Sequence, residues 1–172
     1  MKLLILSDTH GKGYRVEEVL RRHPTKDALL FLGDGLADFG AQPPLGFAAV
    51  RGNCDGLGFF GSSFDAPAER LMCFDGVKFL LLHGHSKGVK SGLERAMAYA
   101  YDRGADVLLY GHTHIALEKY FPVGSEFCGR VIDRPMYAFN SGSLGEPRDG
   151  APSFGVVEIR NGNILFSHGR LK

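Results

Sequence analysis

KLLILSDTH, residues 2–10, sets the apolar run Leu3–Leu6 directly against a serine, an aspartate and a histidine. A short apolar run bounded by polar residues reads as a buried strand rather than a helix. The pattern recurs along the chain. Ala28–Leu32 runs into Gly33-Asp34, and Phe47–Val50 into Arg51-Gly52-Asn53-Cys54-Asp55. Val77–Leu82 runs into His83-Gly84-His85, and Val107–Tyr110 into Gly111-His112-Thr113-His114. Met136–Phe139 ends in Asn140-Ser141-Gly142-Ser143. Helical spacing separates some of these runs: Val16, Val19 and Leu20 within 15–22, and Leu93, Ala96, Met97 and Ala100 within 89–102. Two hairpins are expected, 70–74 with 77–82 about Asp75-Gly76, and 155–159 with 164–167 about Asn161-Gly162. Strands alternating with helices early and hairpins late make a mixed α/β domain. Residues 56–67 and 121–135 read as loops, the first carrying Phe59, Phe60 and Phe64 as loop packing or as a wall over a ligand.

Composition narrows the function classes. The 172 residues are 44% hydrophobic and 23% charged, which suits one domain, residues 1–172, with its own core. Twenty Lys and Arg against nineteen Asp and Glu leave a formal net charge of +1, so nothing favours wrapping polymeric nucleic acid or lying on an anionic membrane. The N-terminal apolar run is too short for a signal peptide, and no stretch approaches a membrane span. The three cysteines, Cys54, Cys73 and Cys128, form neither a disulfide framework nor a CxxC motif. These features place the chain in the cytoplasm.

The chemistry lies just past the strands. Sites in open α/β sheets form beyond the carboxyl ends of strands. Five such ends built from Asp, His and Asn amount to a metal site. In Asp8-x-His10 and His112-x-His114 an extended chain would turn both side chains to one side. Glycine before Asp34, Asn53 and His112 would let the backbone come close. Imidazole with carboxylate suits manganese, zinc, iron or nickel. Seven donors (Asp8, His10, Asp34, Asn53, His83, His112 and His114) exceed one tetrahedral ion and suit two, with Asp34 as the natural bridge because a carboxylate has two oxygens. Two dications ~3.5–4 Å apart repel by roughly 19 kcal/mol at a dielectric of ~20, so bridging anions are required. With Asp8, Asp34 and a hydroxide the site keeps about one positive charge, which lets a neutral chain attract a phosphodiester.

The ordered series Asp8-x-His10, Gly33-Asp34, Gly52-Asn53-x-Asp55, His83 and Gly111-His112-x-His114 resembles the calcineurin-like metallophosphoesterase superfamily, and within it the small prokaryotic YfcE-type phosphodiesterases. The resemblance implies a single-domain β-sandwich of two mixed sheets flanked by helices, four layers in all. It implies two divalent ions, manganese first and zinc, nickel or iron as alternatives. Asp8, His10 and His114 would hold one ion, Asn53, His83 and His112 the other, with Asp34 between and Asn53 also touching the phosphate. Asp34, Asn53 and His10 are the catalytic positions it implies, with a bridging hydroxide attacking phosphorus in line. The substrate would be a small phosphodiester, a nucleotide among the candidates; small relatives often pair, which leaves a homo-oligomer open.

Two departures stand out. Many members carry His where this chain has Cys54, a position thought to protonate the leaving oxygen, so esters with good leaving groups should be favoured. Asn140-Ser141 replaces a frequent Asn-Pro and should alter only a turn. Asp55 reads as orienting Asn53 or its loop, and His85 as either supporting the ligands or lying at the rim. Cys54 lacks an oriented base that would make it a nucleophile. Arg51 and Arg148 read as solvated, His23 as a partner of a helix C-terminus, and His168 as surface. The contrasting functions are a phosphomonoesterase and, as in the retromer subunit branch, a protein-interaction scaffold with little activity.

Overall fold

The computed structural model describes residues 1–40, 43–56 and 65–172. Two five-stranded mixed sheets face each other. In the first, β1 (Lys2–Leu6), β2 (Ala28–Phe31) and β3 (Phe47–Ala49) run parallel, and β11 (Ser153–Arg160) and β12 (Asn163–Arg170) add antiparallel on the β1 side. In the second, β5 (Val77–Leu82), β6 (Val107–Tyr110) and β10 (Met136–Ser141) run parallel between antiparallel β4 (Glu69–Phe74) and β7 (Ala116–Phe121). A small hairpin, β8 (Glu126–Phe127) with β9 (Arg130–Val131), stands apart.

The apolar runs are unbroken because both faces of their strands are covered. Leu3, Ile5, Leu30 and Leu32 meet Phe79, Leu81, Leu109 and Phe139 between the sheets. The alternate residues Leu4, Leu6, Leu29 and Phe31 receive Val16 and Val19 of α1 (Gly13–Arg22). On the outer face of the second sheet, Leu80, Leu82 and Leu108 receive Ala96, Met97 and Ala100 of α2 (Glu94–Asp102). The layers are helix, sheet, sheet, helix. Since β1, β2, β3, β5 and β6 point the same way in their sheets, their polar tails collect at one end.

Two expectations change. α2 begins at Glu94 rather than Val89, because Gly88 at φ 67° and Gly92 at φ 145° break the regular turn. The stretch 121–135 is not plain loop, since it closes β7 and contains the β8–β9 hairpin. β7 is an edge strand with Glu118, Lys119 and Tyr120 exposed, so it lacks the apolar run that marks the other strands. Of the expected loop 56–67, residues 57–64, with Phe59, Phe60 and Phe64, lie outside the described residues. Among the described residues, no helix is long and apolar enough to cross a membrane.

Candidate metal centre

Six of the seven proposed ligands converge in two neighbouring sets. Donor atoms of Asp8, His10 and His114 lie within 4.8 Å of one another, as do those of Asp34, His83 and His112. Asp34 also groups with His10 and Cys54, which places its carboxylate between the two sets. Asp8, Asp34, His83 and His114 are buried. Asn53, the seventh, is exposed, and its Nδ2 donates to Cys54 Sγ at 3.2 Å.

The backbone that assembles them is not extended. Asp8, His10, Asp34, His112 and His114 have φ of 53°, 43°, 61°, 66° and 61°. The expected same-side geometry of Asp-x-His and His-x-His is therefore corrected: left-handed turns, not pleats, aim these side chains. Contacts from distant segments hold the turns. Asp8 N–H donates to Gly33 O at 2.9 Å, His10 N–H to Asp34 O at 3.1 Å, and Gly145 N–H to Asp8 O at 2.9 Å. Glycine acts here by close approach. A Cβ on Gly52 would stand 2.0 Å from Asp34 Oδ1, and one on Gly111 would stand 2.0 Å from Ser7 Oγ and 2.8 Å from Asp8 Oδ2.

Asp55 is the staple of the site. Its Oδ2 accepts from the amides of Asp34 and Gly52, both at 2.8 Å, and its Oδ1 from those of Gly35 and Leu36, both at 2.9 Å. Four backbone donors on one carboxylate bind the Asp34 loop to the Asn53 loop and leave Asp55 no ligand role. Cys54 contributes through its amide, which donates to Asp34 Oδ1 at 2.7 Å. Burial and the charge of Asp34 push its thiol up to about 11. His85 lies beside the cluster and outside both sets, its ring 5.6 Å from that of His83 and 6.1 Å from that of His112.

Hydrogen bonds away from the cluster settle how two imidazoles face it. A carbonyl oxygen only accepts, so His83 Nδ1–H donates to Leu32 O and His114 Nδ1–H to Glu146 O, each at 2.7 Å. Both Nε2 atoms are then free to present lone pairs, the arrangement usual for metal-ligating histidine. His114 Nε2 faces Asp8 Oδ1 at 3.1 Å and His83 Nε2 faces Asp34 Oδ2 at 3.2 Å. Asp8 Oδ1 is buried without a hydrogen-bond donor among the described residues, while Oδ2 takes Ser7 Oγ–H at 2.5 Å and His112 N–H at 3.0 Å.

Lone pairs aimed at carboxylates demand positive charge between them. The pKa directions express the same demand. The Asp8 carboxylate draws His114 up, and for His83 the neighbouring Asp34 and Asp8 outweigh the opposing effect of burial. Burial would raise Asp34, but His83 and the Cys54 amide hold it well below the usual range. Protons alone are a poor answer, because His10 Nε2 lies 3.3 Å from His114 Nε2 and His83 Nε2 lies 3.1 Å from His112 Nδ1. Full protonation would set imidazolium against imidazolium. Burial and the charge of His83 already push His112 down to about 4. Divalent cations satisfy nitrogen and oxygen donors together, so the donor set fits metal.

Residues 1–162 match the family model of the calcineurin-like phosphoesterase superfamily domain. The chain belongs to that superfamily. It is 31% identical over 163 residues to the probable metallophosphoesterase YsnB of Bacillus subtilis, covering 94% of this chain and 86% of the relative. It is 31% identical over 185 residues to the phosphodiesterase YfcE of Escherichia coli K12, covering 92% and 88%. A predicted phosphoesterase from Streptococcus pneumoniae superposes with a TM-score of 0.72 at 22% identity, covering 98% of this chain and 88% of that one. Vps29 of Entamoeba histolytica, solved with zinc, gives 0.66 at 18% identity, covering 99% of each. At these identities the two structural likenesses establish the sandwich alone, the fold expected from the sequence.

The sequence reading missed three parts of the site. Ser7 holds Asp8. The carbonyls of Leu32 and Glu146 orient two histidines. Buried Asn140 donates from Nδ2 to Gly111 O and Thr113 Oγ1, both at 3.0 Å, and so braces the His112–His114 turn. Serine next to the first ligand was the available signal for the first of these; backbone carbonyls leave none in sequence.

Proposed function

We propose that this superfamily member is a phosphodiesterase that hydrolyses small phosphodiesters at a pair of divalent ions, manganese foremost. Asp8, His10 and His114 would hold one ion and Asn53, His83 and His112 the other, with Asp34 shared. The observation that carries this reading is the orphaned Asp8 Oδ1, buried against the His114 Nε2 lone pair at 3.1 Å. When bound, such ions lower the pKa of water and neutralise charge on phosphoryl oxygens.

The remaining work falls to the chain itself. Asp55 and Ser7 keep Asp34 and Asp8 aimed at the cluster. Asn53, exposed and with an amide free to swing from Cys54, can donate to a phosphoryl oxygen as charge accumulates there. Cys54 is a weak proton donor, which leaves leaving groups of low basicity favoured, since positioned acid catalysis is otherwise worth roughly 10²–10⁴-fold. The cavity beside the cluster, about 320 Å³ and lined by His10, Ala37, Asp38 and Glu146, has room for one arm of a small diester. A single domain over residues 1–172, a cytoplasmic setting and nucleotide diesters as substrates complete the proposal.

The test is hydrolysis of bis-p-nitrophenyl phosphate by chelator-stripped protein with manganese restored, beside the monoester p-nitrophenyl phosphate and the Asp34→Asn variant. Diester turnover should exceed monoester turnover and fall at least about 10²-fold in Asp34→Asn. Faster monoester hydrolysis would overturn the part given to Cys54. A folded protein inactive with manganese, zinc, nickel and iron would point to a protein-binding scaffold instead.

A further inference from the structure

Two cavities of opposite charge lie near the cluster. The cavity beside His10 adds Asp38 and Glu146 to its walls. The second is a groove of about 360 Å³ lined by Val89, Lys90, Tyr110, Thr113, Ile115 and Arg148 among others, with no acidic residue among the described residues that line it. Thr113 stands between His112 and His114 in the chain, so the groove starts where the ligands end. Its two cations are placed by the same turns as the ligands. Arg148 N–H donates to His114 O at 3.0 Å, which fixes that residue beside the His114 turn. Lys90 follows Val89, whose buried side chain packs against Gly84, between His83 and His85.

Both cationic side chains are exposed, and among the described residues neither is within ion-pair distance of a carboxylate. Six of the twelve arginines, those at 22, 103, 130, 134, 160 and 170, have such partners. Apart from these cations and Thr113 the lining is largely apolar, with Val89 and Tyr110 buried and Ile115 46% exposed. Two uncommitted cations in a largely apolar groove match an organic group that ends in an anion.

We propose that this groove is a second anion subsite, in which Lys90 and Arg148 bind a phosphate carried on one arm of the diester while Ile115 supports the organic part of that arm. It rests on the hydrolase reading for its substrate and adds a class: diesters bearing a further phosphoryl group, such as esters of nucleoside bisphosphates. The acidic walls of the first cavity repel such an arm, so the asymmetry also sets which way the diester lies across the cluster.

The experiment compares two ligands that differ only in the extra phosphate. Thymidine 3′,5′-bisphosphate and thymidine 5′-monophosphate are titrated by calorimetry into the manganese-loaded protein, and the 5′-p-nitrophenyl esters of both are assayed for turnover. The bisphosphate should bind about tenfold more tightly at low salt, the size expected of two exposed charge contacts, and the preference should shrink as salt rises. In Lys90→Ala/Arg148→Ala the preference should fall towards one, whereas Arg21→Ala, on α1, should keep it. Reading the ratio of the two ligands within each variant cancels any uniform loss. No preference in the native protein, or one that survives the double substitution, overturns the subsite. Turnover of both esters without preference removes the subsite and leaves the hydrolase; a binding preference without turnover does the reverse.

Discussion

At the end of the sandwich remote from the cluster, Asp75 and Gly76 join β4 to β5 with φ of 47° and 82°. At the other end, five non-glycine residues of the candidate metal set share that left-handed region. The remote pair is what a two-residue hairpin requires, since its twist matches that of the strands it joins. Nothing lies within 4 Å of a Cβ placed on Gly76, so no other segment packs over the glycine, and the long-range contact of the turn is an exposed one, the Asp75 carboxylate accepting from the Met1 ammonium at 3.2 Å. The turns of the candidate metal set depend on other segments: Asp8 on the carbonyl of Gly33 and the amide of Gly145, Asp34 on Asp55. A left-handed non-glycine residue costs roughly 1–2 kcal/mol, and the strain persists where surrounding structure over-determines it. One end is thus a local solution and the other a tertiary one, and substitutions should separate them.

The largest separation is expected from Gly52→Ala. The new Cβ would meet Asp34 Oδ1 at 2.0 Å and Asp34 N at 2.6 Å, so the shared carboxylate must move. A displacement near 1 Å can cost about 10²-fold. Manganese-restored diester turnover should fall by at least that much, with about 1–3 kcal/mol lost from stability. Turnover near the native level would show that the close approach does not position Asp34.

Asp8→Asn tests the electrostatics of the same end. An asparagine oxygen can keep Ser7 Oγ–H and His112 N–H, while its amide nitrogen, standing where Oδ1 now lies 3.1 Å from His114 Nε2, would donate to that lone pair. The metal-free variant should therefore be more stable than the metal-free native protein, by about 1 kcal/mol. It should also lose most of the native protein's response to manganese, which at a hundredfold excess over Kd is about 2.7 kcal/mol. Thermal unfolding with and without metal reads both. A destabilised variant that still responds fully to manganese would contradict the lone-pair assignment.

Asp55→Asn is smaller. The amide nitrogen cannot accept, so at least one of the pairs of backbone N–H groups at 34 and 52, or at 35 and 36, loses its partner. A stability loss of about 1–3 kcal/mol should accompany a roughly 10–100-fold loss in manganese affinity, as for other groups that hold a ligand in place. Unchanged metal affinity would confine Asp55 to a structural part.

Legibility in sequence divides along the same line. Strand ends and both hairpins could be read because apolar runs, Asp75-Gly76 and Asn161-Gly162 are local signals. The clustering of the Asp and His side chains could be read because each stands at a strand end. The left-handed ligand turns could not, since partners more than twenty residues away impose them. His168 was legible and misread: Ile164, Phe166 and His168 alternate on one face of β12, and His168 is part-buried, stacked 4.6 Å from Phe139 with Nε2–H donating to Asn140 O at 2.8 Å. His23 also departs from its expected charged role at the end of α1. Burial and nearby Lys2, Arg22 and Lys26 lower its pKa, and its ring packs 5.1 Å from Phe154.

Gly76→Ala should have the smallest effect and is the control that gives Gly52→Ala its meaning. At φ 82° an alanine is strained, yet it meets no neighbour. The expected cost is about 1 kcal/mol of stability, read by denaturant unfolding, with manganese affinity and diester turnover unchanged. If turnover fell as in Gly52→Ala, the two ends would be coupled through the sandwich, and the site could no longer be treated as held by its own contacts. If stability fell by several kcal/mol, the hairpin would itself depend on tertiary support, and the contrast between a local and an imposed left-handed turn would fail at its simpler end.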